Sequence, residues 1–435
     1  MTIILGAGLT GLSTAYHLEL MKQEYHIFEK ESRIGGLCRT VEENGYKFDY
    51  TGHLLHMRND YVKFLIDDIL PNKFKIHKKR ASIYCQKKLI GYPFQANFHG
   101  LPKSVVKECL LYFIETLTTP KIVKAEDTFE EWALNTFGSG IVKYFMKPYN
   151  EKLYRCALRE LSSDWVSWSI PRPNLEEVIN GLLGFKNREF GYNPIFLYPK
   201  KGGINILPET ISQRLKNITV NKEASVISMN EKKILFNNDS YVNFSRLVST
   251  IPLPQLLKII TDLPSEIRDM ADKLKYVSVL NINLGIRKQN ISNKHWIYFP
   301  ESEFLFYRVG FYNNFSTTIS PSHNSSCYIE ISYRPEEGIS QKNAIKKSLK
   351  MLKSIDVVNN EDEVEVINIL NLPYAYVLHD EYRKAYLAKI HEYLNKRDIS
   401  SIGRFGAWKY STMEDAILEG KETAEYIAKS NSSKP

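Results

Sequence analysis

The 435-residue sequence predicts an α/β protein with a Rossmann-like nucleotide-binding domain, an inserted helical domain and a second, mostly antiparallel β-sheet domain. Three observations carry this expectation. Residues 2–30 read as strand, glycine turn, helix and strand. Residues 100–190 place apolar side chains at helical spacing, punctuated by Pro and Gly. Residues 276–375 alternate apolar and polar side chains in several runs. At roughly 100–200 residues per domain, the length suits two or three such units.

The first strand, TIIL (2–5), runs into GAGLTG and then LSTAYHLELM, whose apolar residues recur at helical spacing. Gly6, Gly8 and Gly11 each have a task in such a turn: the tight bend, close approach of backbone to a pyrophosphate, and close packing of helix on strand. With Thr10 they bring the partial positive charge of the helix N-terminus to the phosphates. A second strand, YHIFEKE, ends at Glu29 and Lys30, where a carboxylate accepts hydrogen bonds from ribose hydroxyls. Helices follow, from LPKSVVKECLLYFIETL through AEDTFEEWALNTFG to NLEEVINGLLG. The stretch LLYFIETL (110–117) is expected to pack into the core, as are Trp165 and Trp168. Strand patterns return at 217–252 (NITV, ASVISM, KKILF, RLVSTIP) and again in YVSVLNINLGI, SCYIEISY and VEVINILNL.

Composition narrows the function. Apolar residues make up 43% and charged residues 25%, values of a soluble globular protein rather than a disordered chain or membrane bundle. No segment reaches the 18 or so apolar residues of a spanning helix, so no integral membrane segment is expected. The net charge of +9 is spread along the chain without the stripe or patch of a nucleic-acid footprint, and suits a small anionic ligand. Five scattered cysteines offer neither zinc spacing nor a disulfide framework, so no metal and a reducing, cytoplasmic location are expected. A homo-oligomer is left open.

The stretch ESRIGGLCRT (31–40) sets Gly35, Gly36, Leu37 and Arg39 just beyond Glu29. This second glycine pair resembles the motif of the FAD-containing amine-oxidase superfamily. SIGRFGAWKYSTMEDAILEGKETAE (401–425) looks like the same superfamily's closing motif, with Gly403, Arg404 and Met413 at the flavin. The resemblance implies a discontinuous FAD-binding domain of residues 1–98, 200–265 and 385–430. The insertion then spans 99–190 and the substrate-binding sheet 270–380. Val226 is expected beside the cofactor.

Within that superfamily, several stretches in order resemble the UDP-galactopyranose mutases, especially their eukaryotic branch. FDYTGHLLH (48–56) is similar to the loop beside the isoalloxazine ring and makes His53 its histidine. GYPFQAN (91–97) puts Tyr92 and Gln95 on the uracil site, and KPYNEKLY (147–154) follows. GYNPIFLYPKKGGIN (191–205) puts Asn193 near the diphosphate. In HWIYFPESEFLFYRVGFYNNFS (295–316), Tyr298 and Arg308 match a family pair that clamps the diphosphate, a task suited to the permanently charged arginine fork. Arg308 is accordingly assigned to substrate and not to core. Tyr374 and Tyr410 match two further diphosphate-binding tyrosines. One departure stands out: where the family has a second arginine, DWVSWSIPRPN (164–174) has Ser169, and Arg172 is the expected replacement.

The resemblance implies a flavin-dependent mutase that interconverts pyranose and furanose forms of a nucleotide-diphosphate sugar, UDP-linked, through a flavin N5–sugar adduct without net redox. His53, Arg308 and Arg172 are its candidate catalytic residues. FAD acts reduced, with NADH or NADPH as the candidate reductant. The alternative is an FAD-dependent oxidoreductase of the amine-oxidase or protoporphyrinogen-oxidase type, whose site favours an apolar funnel over phosphate-binding groups.

Overall fold

The computed structural model describes residues 1–120, 124, 126–166, 170–185, 187–191, 194–360 and 363–432. Asn193, Ser169 and Trp168 lie outside the described residues.

A five-stranded parallel sheet has the order Ile399–Ser401, Arg246–Ser249, Thr2–Leu5, Tyr25–Phe28, Ile218–Thr219. Thr2–Leu5 is its middle strand and is buried at every position, as expected for a parallel strand covered on both faces. Helix Leu9–Leu20 packs on helix Met413–Ser432. Ser13 Oγ donates to the Ile417 carbonyl at 2.6 Å, and a Cβ on Gly420 would lie 2.7 Å from that of Ser13.

A seven-stranded sheet runs in the order Val364–Val377, Tyr276–Ile286, Ser325–Tyr333, Arg308–Phe311, Trp296–Tyr298, Ala81–Cys85, Lys88–Gly91. It is antiparallel except where Trp296–Tyr298 pairs with Ala81–Cys85. Residues 81–91, counted by the sequence reading with the nucleotide-binding segments, are thus the edge hairpin of this sheet. Strand Tyr276–Ile286 is buried at all but its first residue because it has a long partner on either side.

The described residues between 103 and 183 hold helices Lys103–Thr118, Phe129–Ile141 continuing through a π-turn into Lys147–Tyr154, and Leu175–Leu183. The expectation that residues 110–117 are a core face is corrected. Helix Lys103–Thr118 buries Val105, Cys109 and Phe113, one stripe at four-residue spacing, whereas Leu111 and Leu117 are 55% and 49% exposed. Among the described residues no helix is long and apolar enough to cross a membrane.

Candidate active site

The two sheets enclose a cavity of about 560 Å3, within the roughly 300–1,000 Å3 of ligand sites, whose walls come from both. One end is the glycine turn. Gly8 caps helix Leu9–Leu20 without any side-chain cap, which leaves the first N–H groups of the helix open to a ligand. The turn is tight because a Cβ on Gly11 would lie 2.1 Å from the Gly6 carbonyl oxygen. Gly36, at φ +57°, comes so near that its Cβ would lie 3.1 Å from the Gly8 Cα, and Gly35 N donates to the Ala7 carbonyl at 2.8 Å. Two backbones thus form a groove no side chain enters. Glu29, buried at the end of the second strand, accepts from Ala7 N at 2.8 Å and Glu31 N at 2.9 Å, and its carboxylate lines the cavity.

Thr10, Lys30, Leu37, Arg39, Gly403, Arg404 and Met413 also line it. Arg39 Nε donates to the Gly36 carbonyl at 2.7 Å, and its guanidinium lies 4.8 Å from the Tyr50 ring centre. Val226 does not line it: the strand is irregular between residues 224 and 226, and Ala224 reaches the wall instead.

The middle of the cavity holds His53. Burial first, and the nearby Arg404 second, push its imidazole down to about 4, with the Tyr50 and Thr51 carbonyls offsetting part of this. The ring is neutral at physiological pH, and its Nδ1 has no hydrogen-bond partner. The loop that carries it is anchored by Asp49, a fully buried carboxyl accepting from Thr40 Oγ1 and the Tyr198 hydroxyl, both at 2.6 Å. Beyond the loop, Glu414 accepts from the Arg58 and Asn59 amides at 2.6 and 2.9 Å, tying it to the last helix.

The far end is phenolic and cationic: Tyr298, Tyr307, Arg308, Tyr328, Tyr376 and Tyr410 line it. Arg308 is not the unencumbered fork that the sequence implied. It stands directly opposite Glu330 in the antiparallel ladder, and its Nε and Nη2 reach the two carboxylate oxygens at 2.5 and 2.7 Å. Glu330 has no exposure, so the pair is structural as well as ligand-facing, and the two N–H groups of Nη1 and the second of Nη2 are left for a ligand. Arg404 brings a second cation, held by the Ser411 and Ala375 carbonyls at 2.9 and 3.1 Å and lying 4.7 Å from the Tyr410 ring centre.

Several expected substrate residues lie elsewhere. Arg172 is exposed and lies over the Trp132 ring at 5.1 Å, off the cavity wall, because residues 171–174 turn outward to cap helix Leu175–Leu183. Gln95 is buried off the cavity wall, with its amide nitrogen on the Pro171 carbonyl at 2.6 Å and its amide oxygen without a partner. Tyr92 stays close: its ring lies 5.3 Å from that of Tyr298. Tyr374 lines the cavity but stacks at 4.5 Å on Tyr276. Tyr376, two residues along and missed by the sequence reading, is the tyrosine set between Arg308 and Arg404. Tyr307, Tyr328 and Glu330 were missed too. Glu330 had a signal, being the one carboxylate in the otherwise uncharged strand SSCYIEISY.

The sequence profile described as "Flavin containing amine oxidoreductase" matches residues 9–428. Among curated proteins, protoporphyrinogen oxidase 2 of Arabidopsis thaliana is 24% identical over 52% of this chain and 49% of its own, so the match spans about half that enzyme. Coproporphyrinogen III oxidase of Staphylococcus aureus is 21% identical over 67% and 68%. Among solved structures, a reduced UDP-galactopyranose mutase superposes with a TM-score of 0.92 at 27% identity, covering 98% of this chain and 95% of that one. A putative protoporphyrinogen oxidase from Exiguobacterium gives 0.77 at 16%, covering 99% and 98%.

Proposed function

The chain belongs to the flavin containing amine oxidoreductase family as a UDP-galactopyranose-mutase-like member, and from this premise we propose that it is an FAD-dependent sugar-nucleotide mutase. The observation that carries the reading is the far end of the cavity, where two arginines and a ring of tyrosines converge on a space an oxidase would line with apolar side chains.

The residues present fit a flavin dinucleotide. The groove between Gly8 and Gly36 takes the pyrophosphate, the open helix N-terminus faces it, and the Glu29 carboxylate reaches the ribose. Reduced FAD held there would supply an electron-rich centre for chemistry at the anomeric carbon without net redox. The chain does the rest. Arg308 Nη1 and the hydroxyls of Tyr298, Tyr376 and Tyr410 bind the diphosphate and stabilise its charge as it leaves. Neutral His53 offers an uncharged ring to the cofactor side, so it orients without adding a third cation. Tyr92 beside Tyr298 extends the wall toward the base. The five cysteines are unbridged, which supports a reducing, cytoplasmic setting.

The test is anaerobic turnover of UDP-galactopyranose or UDP-galactofuranose after one pulse of dithionite. Many turnovers per reduction are expected. A second reading, an oxidase, is favoured by the names of the curated relatives. It predicts hydrogen peroxide in proportion to product and no need for reductant.

A further inference from the structure

Helix Lys147–Tyr154 of the insertion packs against the hairpin that carries Tyr298 and Arg308. Its Tyr149 ring meets Tyr298 at 5.3 Å and Tyr307 at 6.3 Å. Three residues on, and so on the same helix face, Lys152 donates to the carbonyls of Phe299 at 2.7 Å and Glu301 at 2.5 Å, and reaches that of Phe306 at 3.5 Å.

Tyr298 and Arg308 are direct partners in the ladder, so residues 299–307 form the loop that closes on this pair. One ammonium therefore ties both ends of the loop, one residue beyond Tyr298 and two before Arg308. The Glu301 carboxylate is not its acceptor. That group is turned to Gln86, whose main-chain and side-chain nitrogens donate to it at 3.1 and 2.8 Å. All three donors of Lys152 thus go to main-chain oxygens, which fixes geometry without neutralising any carboxylate.

We propose that Lys152 is a positioning residue that holds the 299–307 loop closed, so that Tyr298 and Arg308 present one geometry to an anionic ligand and the insertion becomes part of the clamp. The ligand half of this statement rests on the mutase reading; the loop half does not. Burial pushes the ammonium down to about 7, with Glu301 and Glu303 of the loop acting the other way. Loss of its third proton as pH rises through that value removes one of the three ties.

The test uses the flavin-loaded full chain, with UDP as the probe and amide hydrogen exchange as the ligand-free readout. In Lys152→Met, exchange should accelerate across residues 299–309 and stay unchanged in Val364–Val377, with flavin content intact. The Kd for UDP should rise about tenfold or more, the worth of one charge-assisted hydrogen bond. Lys152→Arg should restore part of both. The parent's affinity should carry, beyond the pH dependence of the UDP terminal phosphate that both proteins share, a further dependence through about 7 that Lys152→Met lacks. Should Lys152→Met not fold, Lys152→Gln is read in the same way. Unchanged exchange in the loop overturns the proposal, whatever UDP does. Faster exchange with an unchanged Kd also overturns it, because the lysine then ties the loop without positioning the clamp. Faster exchange in a protein whose parent ignores UDP overturns the mutase reading and leaves the loop role standing.

Discussion

Arg308 and Glu330 face each other across two neighbouring antiparallel strands, and the guanidinium grips a carboxylate that no solvent reaches. Such a pair is weak evidence for stability as a pair, yet breaking it strands a buried charge.

Arg308→Ala should therefore lose about 3–5 kcal/mol of stability along with UDP affinity. Replacing both partners, as Arg308→Met with Glu330→Leu, should recover most of the stability and none of the affinity. Denaturation midpoints and UDP titration of the three proteins separate the two effects. Equal destabilisation by the single and double variants would show that Glu330, left without Arg308, carries no cost as a stranded carboxylate.

Acid should destabilise the fold. Burial holds the imidazoles of His53, His295 and His379 at about 4, 3 and 3, below their unfolded value of 6.5. The unfolded chain then binds more protons, and stability is lost as pH falls from 6.5 through these values, on the order of 3–5 kcal/mol per imidazole. Asp49 acts oppositely. Burial raises its carboxyl from 3.8 to about 6, so its contribution is greatest below 3.8 and is lost as pH rises through 6. Asp49→Asn should accordingly steepen the loss between pH 6 and 4, measured by urea denaturation across that range. A shallower loss would put the opposing carboxyl elsewhere.

Gly8→Ala separates cofactor binding from folding. Its Cβ would meet nothing nearer than the Gly36 Cα at 3.8 Å, an ordinary contact, but it would project into the groove assigned to the pyrophosphate. The variant should fold normally and lose most of its flavin, read as visible absorbance against a circular-dichroism melt. Full flavin content would move the cofactor away from this groove.

The sequence made the elements legible because their signals are local. YVSVLNINLGI is a strand from its first residue to its last, and the glycines at 6, 8 and 11 form the expected turn before a helix. The cavity's residue types were legible through Arg308 and Tyr298, but their partners were not, since Glu330 lies 22 residues from Arg308 and only pairing register brings them together. Alternation would put Tyr374 and Tyr376 on one face of a strand, but the pairing is irregular between Leu372 and Tyr376, so Tyr374 packs with Tyr276 and Trp408 while Tyr376 meets the cations. Arg172 failed for a similar reason: its distance along the chain suited a phosphate, but the turn before helix Leu175–Leu183 sends it outward.

The parallel sheet draws its strands from positions 2–5, 25–28, 218–219, 246–249 and 399–401, and the helix that backs it begins at 413. At about 5–20 residues per second, a ribosome needs roughly 20–80 s to go from the first of these strands to the last. Once made, Arg246–Ser249 keeps an open flank until Ile399–Ser401 arrives, and throughout the interval Leu9–Leu20 lacks the helix that covers it. A nascent chain of this protein therefore exposes apolar surface until its synthesis is nearly done, so premature termination near residue 398 should yield an aggregating chaperone client rather than a smaller folded protein.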